Sequence, residues 1–499
     1  MGITVSRTAT ILLATFLCWI AANASLQAQS WIDDSWREST SERLKQIYQQ
    51  NTFRSAPFEA RWLQQGEVLR VRTSVDGSNR PEVQWIQSAT GETIPSDQGA
   101  QVRQSNQNTS PNQKFRFVVR DGKLLVQQLN GESIATVSGE GAIRYYGMTW
   151  SPDSDHLAFI QSDQTNVKKR SMLVPSDPSY PGIREQTFAR VGETIATLKV
   201  GLINTESGEI HWVDLDPVTS DGQQGFYLGQ VEWAGHSDEL LIEKLSRFRD
   251  RRQFMLVNAR DQKVKTIFDE KNAAWAISSQ GKNLGLMWVQ QGSHFIVISE
   301  KDGWRHAFLY SRKGEEIATL TPGDYDIIQR GPIDESAGWF YFYASPDHGT
   351  QKHLYRVQLD GEGNRQRITP KNMAGTNEYD FSPNLNYAVH THSTIDRPPV
   401  RSLISLPSHQ TIKVLQDNQS IQQILKDWSI TPTDFVSIET EPGVSMDALI
   451  MKPRDFNPEK KYPVLVYVYG EPHGQTVLDQ WAAGQSLFHR VITDLGYIV

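Results

Sequence analysis

The feature that most limits how this chain can fold is a unit that returns along its length: an aromatic residue, a turn of Ser, Pro, Asp, Asn or Gly, then a short alternating apolar strand. It stands at Trp62 in "ARWLQQGEVLRVRT", Trp150 in "TWSPDSDHLAFIQ", Trp233 in "EWAGHSDELLIEKL", Trp288 in "MWVQQGSHFIVIS", Trp339 in "GWFYFYASPD" and Phe381 in "DFSPNLNYAVHTH". Between these lie further strand, turn, strand stretches such as "FVVRDGKLLVQQLNGESIATV" and "GLINTESGEIHWVDL", so each repeat holds about four strands. The later aromatics are 55, 51 and 42 residues apart, the scale of a propeller blade rather than of a sandwich strand. One such sheet cannot bury both of its faces, whereas sheets set radially cover one another. The 83-residue gap between Trp150 and Trp233 calls for an insertion, and the turn-rich run from Ser176 to Thr194 is the candidate. The spacing therefore predicts a mainly β chain with a seven- or eight-bladed β-propeller over 53–427. A set of β-sandwich modules is the alternative, and a regular repeat without linkers argues against it.

The segments on either side read differently. Residues 1–28 carry one charge, Arg7, then an apolar run to about Ala22 that is short for a membrane span and ends in small residues. This is the pattern of a cleaved export signal, and it predicts a periplasmic or secreted protein with no stable membrane span once the signal is removed; an uncleaved anchor is the alternative. Cys18 is the only cysteine and lies inside that signal, so the mature chain is expected to use no disulfides. Residues 29–52 predict a short amphipathic helix, with Ser39 and Thr40 as caps and Leu44, Ile47 and Tyr48 on one face. A net charge of −7 without a dominant basic block makes nucleic acid a poor partner. The densest basic run, Lys244 to Phe254, reads as a solvated hairpin.

Beyond Asp427 the repeat stops. "TDFVSIETEPGVSMDALIMKPRDF" is a hairpin turned at Pro442 and Gly443, "KKYPVLVYVYG" is a continuous apolar strand of the kind a sheet buries on both faces, and "AAGQSLFHRVITDLG" is a helix stopped at Gly496. Hairpin, strand and helix are how an α/β sheet opens. Residues 428–499 are therefore expected to be the start of such a domain, incomplete at Val499.

Taken together, "WSPDSDHLAF", "EKDGWRHAFLY", "LTPGDYD" and "KKYPVLVYVYGEPHGQ" resemble the dipeptidyl peptidase IV branch of the prolyl oligopeptidase family of serine peptidases. The resemblance runs from the Trp62 unit to Val499. It implies a propeller capping an α/β-hydrolase domain, a serine-type acyl transfer that removes N-terminal dipeptides after Pro or Ala, peptide substrates with a free N-terminus, and pairing of full-length members into homodimers.

The same resemblance assigns two residues. Tyr469, in "VYGEP", matches the tyrosine that donates its hydroxyl to the oxyanion of the tetrahedral intermediate. A phenol suits this task because it is neutral at pH 7 and donates to charge that develops in the transition state. Glu140, ten residues ahead of Trp150, matches one member of an acidic pair that binds the substrate ammonium; its neighbour is Gly139, so at most half the pair survives. A second departure is Glu471, where the family loop has Gly before Pro472. No G-x-S-x-G occurs in the 499 residues, so the family's Ser, Asp and His are expected to lie beyond Val499 and the chain alone to be inactive. His473 and His489 read as ordinary loop and helix-surface histidines. His390 and His392 share a strand face without a third ligand nearby in sequence, so no metal is implied, and without a phosphate-binding loop no cofactor is implied either. A propeller module that binds peptides or proteins without catalysis is the competing reading.

Overall fold

Successive antiparallel sheets make up most of the chain in the computed structural model, which describes residues 34–74, 81–95, 108–175, 179–216, 225–235, 238–277, 284–470 and 474–499. The expected export signal lies outside the described residues. Seven blade-like sheets occur among the described residues, at 58–94, 108–137, 143–212, 226–271, 287–319, 327–367 and 376–416. Each is an up-and-down meander whose strands pair in chain order.

Strict alternation along the strands explains why the sheets stand face to face. In the fifth sheet Ile296 and Ile298 pack toward the sixth, while Phe295 and Val297 pack toward the fourth. In the sixth, Phe340 and Phe342 face back to the fifth and Tyr341 and Tyr343 face on to the seventh. A period of two thus sends neighbouring side chains into two different cores, and both faces are buried. Cores of this kind join each consecutive pair of sheets from the second to the seventh. The seventh packs on the first through Val389 and Leu403 against Leu69, Val71 and Ile86. These contacts set the seven sheets side by side in one radial series, from the second to the seventh and on to the first, as in the propeller that the repeat predicts.

The recurring turn has a specific chemistry. Ser110, Ser151 and Ser382 are all buried. Each hydroxyl accepts a hydrogen bond from the backbone five residues on, Phe115, His156 and Tyr387 at 3.0, 2.9 and 3.0 Å. Each also donates to the side chain two residues on, Asn112, Asp153 and Asn384, at 2.8, 2.6 and 2.8 Å. Ser followed by Pro and then Asp or Asn is therefore a self-satisfied corner that closes the first hairpin of a sheet.

The insertion between Trp150 and Trp233 is a two-stranded hairpin, Lys169–Val174 with Gly182–Thr187, leaving the third sheet between its second and third strands. It begins before Ser176, so only its return strand falls in the stretch singled out by composition.

Three helices gather around one further core. Helix α1 spans Asp34–Tyr48, α2 Gln419–Asp427 and α3 Ala483–Asp494. Ser39 and Thr40 lie in the body of α1 rather than at its start; the helix is already formed at Asp34, so they cap nothing. Helix α2 follows the last strand of the seventh sheet, and its Ile421, Ile424 and Leu425 show the helical spacing that a strand-based reading of 53–427 passes over. Phe53, Ile421, Leu425, Trp428, Leu487 and Val491 form the shared core, with Leu44 and Ile47 of α1 packed on it. The N-terminal helix is in this way tied to the last one. Among the described residues no helix is long and apolar enough to cross a membrane.

Candidate active-site face

Because each sheet is a meander, the starts of its first and third strands and the ends of its second and fourth all lie at one end. In a ring of such sheets that end is common to all. Glu140 lies there, in the exposed link that leads into the strand Ile143–Trp150. Its flanks are tight: a Cβ on Gly139 would approach Ile143 Cγ1 to 2.9 Å, and Gly141, at φ +88°, abuts Thr165 Oγ1. Two glycines thus let the backbone hug the sheet on either side of the carboxylate, which stays in solvent.

The segment after the apolar run 461–470 docks on the same end. The side-chain amide of Gln475 donates to Gly349 O at 3.0 Å. The Asp479 amide donates to Thr350 O at 2.8 Å, and its carbonyl accepts from Thr376 Oγ1 at 3.0 Å. Asp479 Oδ1 accepts from the Ile395 amide at 2.9 Å. Thr350, Thr376 and Ile395 precede a third strand, open a first strand and follow a second strand. All three sit at the end that carries Glu140. Asp479 is buried, and burial raises its carboxyl above the usual carboxylate range.

A second fastening holds α3. Arg490 is buried and pairs with Asp396, which sits in the turn between the second and third strands of the seventh sheet; it also donates to Thr433 Oγ1. Asp396 in turn accepts from the amide and hydroxyl of Thr433 at 2.9 and 2.8 Å. Asp396 remains 30% exposed, so Arg490→Ala is expected to cost about 2–3 kcal/mol, somewhat less than breaking a fully buried pair. Urea unfolding followed by tryptophan fluorescence measures it.

Tyr469 is 49% exposed. Its ring lies against Gly474: a Cβ built there would fall 1.7 Å from Tyr469 Cδ1. Only a glycine can lie this close to the ring. Glu471, Pro472 and His473 fall outside the described residues.

The apolar run that leads to Tyr469 departs from expectation. It is not a continuous buried strand: among the described residues its ladder pairing is one parallel bridge, Val464 with Ile498, beside a hydrogen bond from the Leu465 amide to Ile498 O. Val466 and Val468 are 75% and 70% exposed. Apolar β-branched composition gives a preference for extended backbone, but partner strands make a sheet. On the other side of Ile498 and Val499, Met451 pairs with Val499 through two backbone hydrogen bonds of 2.8 and 3.0 Å.

One further expectation changes. His489 is not a helix-surface residue; it is buried in α3, 5.4 Å from the Tyr467 ring, and burial lowers its pKa. His390 and His392 are engaged, His390 Nε2 with Asn377 Oδ1 at 2.9 Å and His392 Nε2 with Ala374 O at 2.6 Å.

Comparison with known proteins adds three findings. The family model described as the dipeptidyl peptidase IV N-terminal region matches residues 84–399. A dipeptidyl peptidase 4 of Trichophyton rubrum is 24% identical over 343 residues, covering 67% of this chain and 44% of that protein. The crystal structure of Porphyromonas gingivalis dipeptidyl peptidase 4 superposes with a TM-score of 0.70 at 23% identity, over 88% of this chain and 63% of that one. The chain spans about half the length of the curated relatives it matches.

Proposed function

The chain belongs to the dipeptidyl peptidase IV branch of the prolyl oligopeptidase family, and from that premise we propose that it is the propeller-bearing part of an exported serine-type dipeptidyl peptidase. The propeller end described above receives the N-terminus of a peptide. One observation carries this reading: Glu140 and the docking points of the segment that follows Tyr469 occupy the same end of the ring.

Glu140 supplies a charge-assisted acceptor for the substrate's ammonium. Tyr469 supplies a neutral donor for the oxyanion that forms when a serine hydroxyl attacks the carbonyl after the second residue. An amine anchored on the propeller and a carbonyl held at the loop together count two residues from the N-terminus. A single carboxylate holds an ammonium less firmly than a pair, so this anchor is weaker than the family's. Nothing in the 499 residues has the form of a nucleophile elbow, so the chain assayed alone on Xaa-Pro chromogenic amides is expected to give no turnover. Turnover blocked by a serine-directed phosphonate would contradict this. In an enzyme completed by the family's Ser, Asp and His, Tyr469→Phe is expected to lower kcat by about 10²–10³-fold, the cost of one oxyanion donor. An unchanged kcat would remove Tyr469 from that role.

A further inference from the structure

Between Tyr469 and α3 the backbone is stitched to the propeller at points that share no side chain with the proposed chemistry. Gln475 reaches Gly349 O, and the Trp481 amide donates to Ser393 Oγ at 3.4 Å. Asp479 alone engages three separate loops: its amide binds Thr350 O, its carbonyl takes the Thr376 hydroxyl, and its carboxylate takes the Ile395 amide. These loops belong to the sixth and seventh sheets, so one residue fixes the segment against both. Ile395 is itself buried, and without the carboxylate its amide would be an unpaired buried donor. The fastened segment meets Tyr469 at Gly474, which lies against the Tyr469 ring with no room for a methyl group.

We propose that Asp479 is a positioning residue that sets the place of Tyr469 over the propeller end by fastening the 474–481 segment to the sixth and seventh sheets. The inference rests on the reading of Tyr469 as the oxyanion donor, but the position of the ring can be measured whether or not it does chemistry. What Asp479 supplies is an acceptor of fixed reach rather than a charge: its partner is a neutral backbone amide. Asparagine keeps that acceptor and alanine removes it.

The test uses the 499-residue chain with 3-fluorotyrosine incorporated, the Tyr469 fluorine resonance being assigned through Tyr469→Phe. Asp479→Ala is expected to shift or broaden that resonance and to speed amide exchange over 474–481 by about ten- to a hundredfold, with the strands of the sixth and seventh sheets unchanged. Asp479→Asn is expected to restore both readouts. Gly474→Ala, which leaves the Asp479 contacts intact, is expected to move the fluorine resonance without changing exchange at 479–481, and it serves if the alanine variant does not fold. The proposal is overturned if Asp479→Ala leaves the Tyr469 resonance in place, if Asp479→Asn behaves like alanine, if exchange rises equally through the sixth and seventh sheets, or if Gly474→Ala leaves the resonance unmoved. Kinetics of Tyr469→Phe in a complete enzyme test the donor role separately, so the two failures are distinct.

Discussion

Replacing Arg252 by methionine is expected to lower the stability of the propeller by about 3–5 kcal/mol, the largest loss anticipated for a single surface-neutral change. Arg252 and Glu243 are both 0% exposed. The guanidinium donates to Glu243 Oε1 at 2.7 Å, to Ile298 O at 2.9 Å and to Leu284 O at 2.7 Å, and it lies 4.7 Å over the Phe254 ring. The other carboxylate oxygen accepts from the Gln230 amide at 2.8 Å. Arg252 and Glu243 belong to the fourth sheet, whereas Ile298 lies in the fifth and Leu284 just before it. One side chain therefore fastens two blades. Methionine fills much of the volume but leaves Glu243 charged in a dry interior and two carbonyls without a donor. Replacing both partners by methionine is expected to recover part of the loss, because no buried charge then remains. Urea unfolding of the three variants decides the matter: a loss below about 1 kcal/mol for Arg252→Met, or no recovery in the double variant, would contradict it.

Stability is also expected to fall steeply as pH drops below about 6.5, the ordinary histidine value. His390 and His353 are buried where the sixth and seventh sheets meet, and burial lowers their pKa values to about 3 and about 4. His390 stacks 4.7 Å from Tyr379 and bonds Asn377, which also contacts His353 Nδ1 at 3.2 Å. His409 joins through Tyr379, 2.9 Å from its hydroxyl, and its pKa is lowered by burial as well. The nearby charges are already paired, Lys352 with Glu378 and Arg367 with Asp347.

The sign follows from proton counting. Below 6.5 the unfolded chain takes up protons on these histidines and the folded chain does not, so acid favours unfolding. The contribution is whole above 6.5 and shrinks until the folded values are reached. Each such group contributes a slope of about 1.4 kcal/mol per pH unit. Burial raises a few carboxyls, Asp479 and Glu270 among them, so the difference in slope between parent and variant, rather than the slope itself, reports one histidine. His390→Gln is expected to reduce the slope by about 1.4 kcal/mol per unit, whatever it does to stability at pH 7.5. Denaturant unfolding at half-unit steps reads this out, and an unaltered slope would show that His390 takes up its proton in the folded protein.

The sequence shows most plainly what repeats. Aromatic, Ser-Pro turn and alternating strand recur because each blade solves the same local problem. Phe340 to Tyr343 can be read in advance as facing two neighbours, since alternation is a property of any strand. The inserted hairpin of the third sheet is only half legible: spacing and turn-rich composition mark its return strand, whereas its first strand, Lys169–Val174, has the composition of any blade strand. What stayed hidden depends on partners far away in the chain. The run from Lys244 to Phe254 looks like a solvated hairpin, and Phe248 at its turn is indeed exposed, yet Lys244 and Arg252 near its ends are buried. No local signal distinguishes those basic residues from their exposed neighbours. Asp479 and Arg490 carry no local signal for the same reason, their partners lying in loops of the sixth and seventh sheets. The run ending at Tyr469 misled in the opposite sense, since its apolar composition announces a sheet that only its partners can complete.

The most direct test of the proposed peptide-binding end is an affinity measurement on the 499-residue chain by titration calorimetry. The ligands are an Ala-Pro peptide with a free N-terminus and the same peptide acetylated. The free peptide is expected to bind more tightly than its acetylated form, and Glu140→Gln should remove the difference by weakening only the free one. Equal affinity for both peptides, or a preference that survives Glu140→Gln, would contradict the placement of the substrate's ammonium at Glu140.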